Sequence, residues 1–242
     1  MNRNTRLTQT FIGAMVLAAT VSAIYAGSRS HIQHSFYALA LLGLAAATSR
    51  MKVKLPGIDG NMSVNLPFLL LAVISLSAVE AVWIACVSTA VQCWPKSGGK
   101  LKPDQMVFNI SMMAFAASAA TVIWNSEWLV NASWASRAFM LSATTATFFL
   151  GQTVPVAGII ALTQNTAMRR VWTSIVQMSF PYYVVSVGVT SMLTVVSHQF
   201  GWQMALVPFP VMYGIHRSYR LYFGSAAETL QTAPMSKAAS AG

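Results

Sequence analysis

Long apolar stretches, separated by short polar segments, recur along the whole of this chain. Reading the apolar runs against prolines, glycines and charged residues predicts about eight transmembrane segments. They are residues 9–26, 34–48, 64–76, 78–94, 103–124, 137–163, 172–196 and 202–222. Only 8% of the residues are charged, whereas a soluble domain needs about 25% to keep its surface wetted. The chain is therefore predicted to be an all-α integral membrane protein.

The longest apolar run, residues 64–94, contains an internal helix start. Ser77 stands three residues before Glu80, at the beginning of a further apolar stretch, and this is the pattern of a capping box. We therefore predict that one short helix ends near Leu76 and that a second helix follows, with Ser77 and Glu80 as its structural cap.

The positive charges test this count independently. If eight segments cross the bilayer and the N-terminus is cytoplasmic, thirteen of the 15 lysines and arginines are cytoplasmic, and only Arg29 and Arg137 lie outside. Fusing the third and fourth segments would reverse every later loop and remove the asymmetry. The charge pattern thus predicts that both termini are cytoplasmic. The positive-inside bias also explains the net charge of +10. The expected partner is therefore the lipid bilayer, and no nucleic acid is expected to bind.

Four prolines lie inside predicted segments, and each removes a backbone hydrogen bond there, so several broken helices are expected. They are Pro155, Pro181, Pro208 and Pro210. Residues 1–224 form the predicted polytopic membrane domain, and residues 225–242 a short disordered cytoplasmic tail. The basic start of the first segment also fits a signal peptide, so the sequence leaves open whether this segment is retained.

Few polar side chains lie within the predicted segments, and each is costly in lipid unless it is paired. They are Glu80, Gln92, Asn109, Gln152, Thr153 and Gln177. Two interpretations stay open, namely hydrogen bonds between helices and a ligand pocket. The ligand-binding candidates are Asn109, Gln92, Gln152 and Thr153. Small residues such as Gly43 with Ala47 are expected where helices pack closely.

No arrangement typical of catalysis is present. P-loop, dinucleotide-binding and serine-protease patterns are missing. His31, His34 and His198 lie at predicted outer ends, but no cysteine accompanies them and Glu127 is the only acid in those loops. The sequence therefore predicts no catalytic residue, no metal site and no cofactor, and we expect that the protein is not an enzyme.

Several short stretches in order resemble a family of bacterial membrane regions. They are residues 50–57, 62–65, 91–94, 107–109, 153–157, 180–183 and Tyr213 with 217–222. Together, between residues 35 and 222, they resemble the multi-span membrane-associated sensor (MASE-like) regions that precede GGDEF or HD-GYP domains in signalling proteins. No GGDEF or HD-GYP signature follows here. The resemblance therefore implies a stand-alone sensor-like or scaffold protein of the bacterial inner membrane, without cyclic-di-GMP chemistry.

The resemblance also implies a mode of action. A sensor region would detect a ligand or the state of the membrane and pass the signal to a separate signalling partner. Signal exit or partner docking is then expected at Arg217, Tyr219 and Arg220, because the resembling proteins attach their output domains just after this end.

Two further functions stay open. The turn at residues 55–57 before residues 63–65 is similar to the substrate-binding subunits of vitamin transporters, which implies a small-molecule uptake subunit. The third hypothesis is a structural membrane assembly partner. The stimulus, the ligand and the oligomeric state are not predicted.

Overall fold

The computed structural model describes residues 3–28, 35–54, 61–95, 100–126 and 134–200, together with short pieces between 206 and 221. The helices in the continuous ranges are α1 (Arg3–Gly27), α2 (Ser35–Ser49), α3 (Leu66–Ser75), α4 (Ala78–Cys93), α5 (Pro103–Trp124), α6 (Trp134–Gln164) and α7 (Met168–Phe200). The described residues between 209 and 221 are helical as well. The predicted helical class is thus confirmed.

One short element departs from an all-helical chain. Strands β1 (Lys52–Lys54) and β2 (Asn61–Ser63) pair in antiparallel fashion, with Lys52 opposite Ser63. This pair of strands lies in the polar stretch between the predicted segments 34–48 and 64–76. It leads the chain from the end of α2 to the start of α3.

The helices have the length and surface of a membrane protein. Three of them, Thr5–Gly27, Pro103–Trp124 and Phe139–Gln164, are long and apolar enough to cross a membrane. Large apolar side chains also lie on the outer surface, including Phe36, which is 83% exposed, and Leu17, which is 67% exposed. Extensive apolar surface of this kind is typical of a protein covered by lipid.

Helix α5 lies at the centre of the bundle, where it contacts α1, α3, α4 and α6. The packed face of its C-terminal half is rich in small side chains, and Ala116, Ala117 and Ala120 are completely buried. Helix α6 approaches this face through Gly151, where an added β-carbon would lie 3.0 Å from the Cα atom of Ala116. The absence of a side chain at Gly151 therefore sets the distance between α5 and α6.

The expected close contact at Gly43 and Ala47 is not found. Both residues are exposed on α2, and a β-carbon added at Gly43 would meet no atom within 4 Å. The helix instead buries Leu41, Ala45 and Thr48. These three residues recur every three to four positions, so they form the opposite stripe of the same helix.

Helices α3 and α4 form a hairpin. The Ser63 hydroxyl donates to Oε1 of Gln92 over 3.3 Å, although a single continuous helix would separate these residues by about 44 Å. At the other end, Nε1 of Trp124 donates to the Ile74 carbonyl over 3.0 Å. The chain therefore reverses direction between α3 and α4, and the reversal lies beside the C-terminal end of α5.

Helix α3 is too short to cross a bilayer by itself. Its ten residues rise about 15 Å, about half the thickness of a hydrocarbon core. Every residue from Leu66 to Val73 is buried. The chain thus enters the bundle in non-helical form before Leu66, and such backbone is tolerated at membrane depth only inside protein or beside a cavity.

Pro155 and Pro181 do not break their helices. Both lie inside α6 and α7, which continue through them, so the expectation of broken helices is wrong at these two positions. A proline removes one N–H donor and leaves one carbonyl a turn earlier without its bond, but the bonds on either side persist. Pro210 lies among helical residues, and Pro208 lies outside the described residues.

The predicted cap is present at the start of α4. The Glu80 N–H donates to Oγ of Ser77 over 3.3 Å, and the Ser77 N–H donates to Oε2 of Glu80 over 3.0 Å. The Ser77 hydroxyl adds a bond of 2.6 Å to the same carboxylate oxygen. Ser77 and Glu80 thus bond to each other's backbone N–H groups and side chains in the first turn of α4. Helix capping therefore accounts for the presence of Glu80.

A substitution pair at Glu80 separates capping from a role of the charge. Glu80→Gln keeps an oxygen that can accept from Ser77, so expression and melting temperature should stay within a few degrees of the parent. Glu80→Ala loses the cap, which costs roughly 0.5–2 kcal/mol, and should lower both. Thermal unfolding in detergent measures the difference. A Gln variant that folds normally but loses ligand binding would show instead that the charge is required.

Candidate ligand-binding cavity

A cavity of about 530 Å³ lies at one end of the bundle. It is lined from the N-terminal halves of α1, α3, α5 and α7 and from the C-terminal halves of α4 and α6. These ends can meet only if successive helices alternate in direction from α3 onward. Its size lies within the range of about 300–1,000 Å³ that is typical of small-molecule sites.

All four predicted ligand-binding residues line this cavity. Gln92 comes from the last turn of α4, Asn109 from α5, and the adjacent Gln152 and Thr153 from α6. Gln177, which was expected to face the interior, is exposed on α7. It lies about 200° around the helix from Ile175, which lines the cavity.

Several oxygen atoms of these residues have partners. Oε1 of Gln152 accepts from the Tyr183 hydroxyl. The single O–H of Ser63 is shared between Oε1 of Gln92 at 3.3 Å and Oδ1 of Asn65 at 2.8 Å. The Thr153 hydroxyl donates to the Phe149 carbonyl over 2.8 Å and accepts from Nε1 of Trp172 over 3.3 Å. The polar groups of the cavity wall are therefore held in place by neighbouring helices.

The amide N–H groups have weaker partners. Nδ2 of Asn109 donates to Sγ of Cys93 over 3.4 Å, and Nε2 of Gln152 donates to Sδ of Met113 over 2.7 Å. Sulfur is a weak acceptor. Each amide nitrogen carries two N–H groups, so one N–H of each remains for an oxygen atom of a ligand.

Asn65 is a lining residue that the sequence analysis did not select. It is 4% exposed and directly precedes α3, where its side chain does not cap the helix. Its Oδ1 accepts from the Ser63 hydroxyl over 2.8 Å. Its Nδ2 has no hydrogen-bond partner within the part of the chain that the structure describes. A buried amide in this state is poised to donate to a ligand.

Tyr182 is a second lining residue without a prior prediction. It is only 2% exposed, and its hydroxyl accepts the N–H of Leu66 over 3.0 Å. This bond satisfies the first N–H of α3, which is otherwise left without a helical partner. The neighbouring ring of Tyr183 packs edge-on against Phe149, with centroids 4.6 Å apart. Helix α7 therefore fixes both α3 and α6 beside the cavity.

A sequence signal for these two residues did exist. Asn65 and Tyr182 belong to the stretches from which the sequence analysis predicted a resemblance to membrane sensor regions. Residues 62–65, 91–94, 107–109, 153–157 and 180–183 each contribute side chains to the lining. Stretches that are far apart in the sequence therefore meet around one cavity.

Charge is confined to the mouth of the cavity. Among the described lining residues, Lys102 and Asp104 are the charged ones, and both are exposed at the start of α5. The wall behind them is mostly apolar, with Phe108, Met112 and Ile160 as examples. The arrangement can bind an apolar molecule and orient it by hydrogen bonds, as in many ligand pockets.

The remaining predicted residues lie elsewhere. Ser77 and Glu80 are at the opposite end of α4 from Gln92, and they do not line the cavity. Arg217 is exposed and helical. Tyr219 and Arg220 lie outside the described residues, as does the predicted tail at 225–242, so the docking surface stays a prediction.

No protein-family model, curated protein or solved structure matches this chain.

Proposed function

We propose that this chain is a small-molecule sensor of the bacterial inner membrane, which binds its ligand in the cavity and passes the signal to a separate partner. The observation that carries the proposal is the cavity itself, lined by the four predicted polar residues and by Asn65, whose buried Nδ2 has no partner within the described residues. An unsatisfied buried donor costs roughly 1–3 kcal/mol, and an acceptor on a bound ligand would remove this cost.

The proposal includes eight membrane segments with both termini in the cytoplasm. In that topology the cavity opens at the cytoplasmic end. Support comes from the cations of the described helix ends, because Arg6, Lys102, Arg169 and Arg170 lie near the ends that line the cavity, as the positive-inside bias requires. Because α3 and α4 form a hairpin, the direction of successive helices still alternates, even though α3 is short.

Reporter fusions test the topology. Fusions after Lys100, Arg170 and Gly242 should report the cytoplasm, whereas fusions near Ser133 and Gln199 should report the outside. The signal alternates because one membrane crossing separates each site from the next along the chain. Enzymatic reporters that are active on only one side of the membrane give the readout. An outside signal after Lys100 would contradict both the eight segments and the cytoplasmic opening.

Signal output is proposed at the end of the eighth segment. Arg217 is exposed there, and basic residues at this depth are attracted to anionic lipid headgroups. In this proposal a partner docks at Arg217, Tyr219 and Arg220, and the eighth segment transmits ligand binding in the cavity to this surface. Crosslinkers placed at Ser225 should capture a protein. Capture of lipid alone would favour simple membrane anchoring.

Ligand binding has its own test. The protein purified in mild detergent should carry a small molecule that native mass spectrometry detects. Ser179, which lines the cavity and is 4% exposed, should lose this molecule when it is changed to phenylalanine, because the ring fills the space. Gln177→Phe, two residues away on the exposed face of α7, is the matched control and should keep it. A bound mass retained in Ser179→Phe would contradict binding in the cavity.

The uptake hypothesis is separated from sensing by transport. An uptake subunit must receive its substrate from outside, whereas the proposed cavity opens to the cytoplasm. The copurified molecule, radiolabelled, should therefore not accumulate in vesicles that contain this protein. Accumulation would favour the uptake subunit over the sensor. If no molecule copurifies and no labelled compound enters, the structural assembly partner becomes the better hypothesis.

A further inference from the structure

The polar groups of the cavity are unbalanced in a way that constrains its ligand. Three amide side chains offer N–H donors with sulfur partners or with no partner, namely those of Asn65, Asn109 and Gln152. The oxygen atoms of Asn65 and Gln152 already accept from Ser63 and Tyr183. These three amides therefore carry donors whose hydrogen-bonding capacity is not filled.

A ligand that satisfies donors must bring acceptors. Carbonyl oxygens accept without donating, whereas a hydroxyl also brings a proton that needs an acceptor of its own. Asn65 directs its oxygen atom at Ser63 and its N–H donors at no partner within the described residues. The three donors come from the segment before α3, from α5 and from α6, so they surround the cavity on several sides.

The charge of the wall restricts the ligand further. Lys102 and Asp104 lie at the exposed mouth, and the described lining behind them is neutral. A buried ion without a counter-charge is costly, so the part of the ligand that reaches Asn65 is uncharged. Phe108, Met112 and Ile160 provide an apolar surface for the rest of the molecule.

We infer that the cavity takes a neutral molecule with an apolar body and carbonyl oxygens, which accept hydrogen bonds from Asn65, Asn109 and Gln152. This inference rests on the proposed function, since it names the ligand class of the same cavity. The amide donors select the carbonyl head, and the apolar wall holds the body.

A matched pair of probes tests the ligand class. 9,10-Anthraquinone and anthracene share a three-ring frame, but only the first carries carbonyl oxygens. Binding of both radiolabelled probes to the purified full-length protein should favour anthraquinone by about tenfold or more, the equivalent of one good hydrogen bond to a buried donor. Equal affinity for the two probes would overturn the carbonyl requirement and leave small-molecule binding intact.

Variants of the donors locate the effect. Asn65→Leu should weaken anthraquinone binding about tenfold and leave anthracene binding unchanged. Asn125→Leu, the same substitution at an exposed residue beyond α5, should change neither. If Asn65→Leu does not fold, Asn109→Leu provides the same comparison from α5. A folded donor variant that keeps the full preference for anthraquinone would overturn the inference.

The native ligand distinguishes failure of the inference from failure of the function. A copurified molecule that is neutral and carries carbonyl groups supports both. A copurified molecule that is an ion, or that lacks carbonyl oxygen, overturns the inference while small-molecule binding stands. If neither probe binds and nothing copurifies, both the ligand class and the proposed function fail.

Discussion

Phe68→Ala should cost roughly 3–5 kcal/mol of stability and leave little folded protein after extraction. Phe68 is completely buried in α3, a helix whose residues from Leu66 to Val73 are all enclosed by other helices. Removing the ring leaves a void that the surrounding helices cannot close, so the packing contacts of the ring are lost. Yield of monodisperse protein and melting temperature in detergent measure the effect.

The matched control is Phe36→Ala on α2. Phe36 is 83% exposed, so its replacement changes contact with lipid or detergent and should alter stability by no more than about 0.5 kcal/mol. Equal losses for the two variants would show that α3 is not an internal helix. Because α3 also carries the segment that presents Asn65, we expect any Phe68→Ala protein that survives to bind ligand weakly.

Gly151→Val is the second change with a large expected effect. A β-carbon at Gly151 would lie 3.0 Å from the Cα and 3.1 Å from the Cβ of Ala116, and backbone atoms cannot move aside as a flexible side chain does. Helices α5 and α6 must therefore separate, and overpacking of this kind costs roughly 1–3 kcal/mol or more. Thermal unfolding should show a clear drop in melting temperature.

The same variant should affect the cavity. Gln152 and Thr153 directly follow Gly151, so a displaced α6 would move both from their places in the wall, and the copurified small molecule should be lost. Gly188→Val is the control, since a β-carbon at Gly188 meets nothing within 4 Å. A Gly151→Val protein as stable as the Gly188→Val protein would contradict the close α5–α6 contact.

Elements set by local sequence were predictable. The start of α4 follows from Ser77 and Glu80, because a capping box is made within four residues. The bounds of α5 follow from the proline at its first position and from its unbroken apolar run. The expectation of breaks at Pro155 and Pro181 failed because a lost backbone bond weakens a helix locally, whereas its neighbours in the bundle hold it together.

The site was predictable in its chemistry and not in its geometry. Asn109 and Gln152 could be selected because polar groups in apolar runs must find partners inside the protein. Asn65 was missed as a site residue, although it lies in the predicted segment 64–76, because its burial beside the cavity depends on the packing of distant helices. Gln177 failed for the complementary reason, since sequence position alone does not tell which face of α7 is covered.

The sequence by itself determined that this chain is helical and apolar, where α4 begins, and which side chains are too polar for lipid. These properties depend on composition and on contacts within a few residues. Only the tertiary structure decided that α3 is internal, that Ser63 meets Gln92, and that the Tyr182 hydroxyl, 116 positions along the chain from Leu66, completes the start of α3. The reason is physical: such contacts depend on which helix faces pack together, and that choice is made by the whole bundle at once.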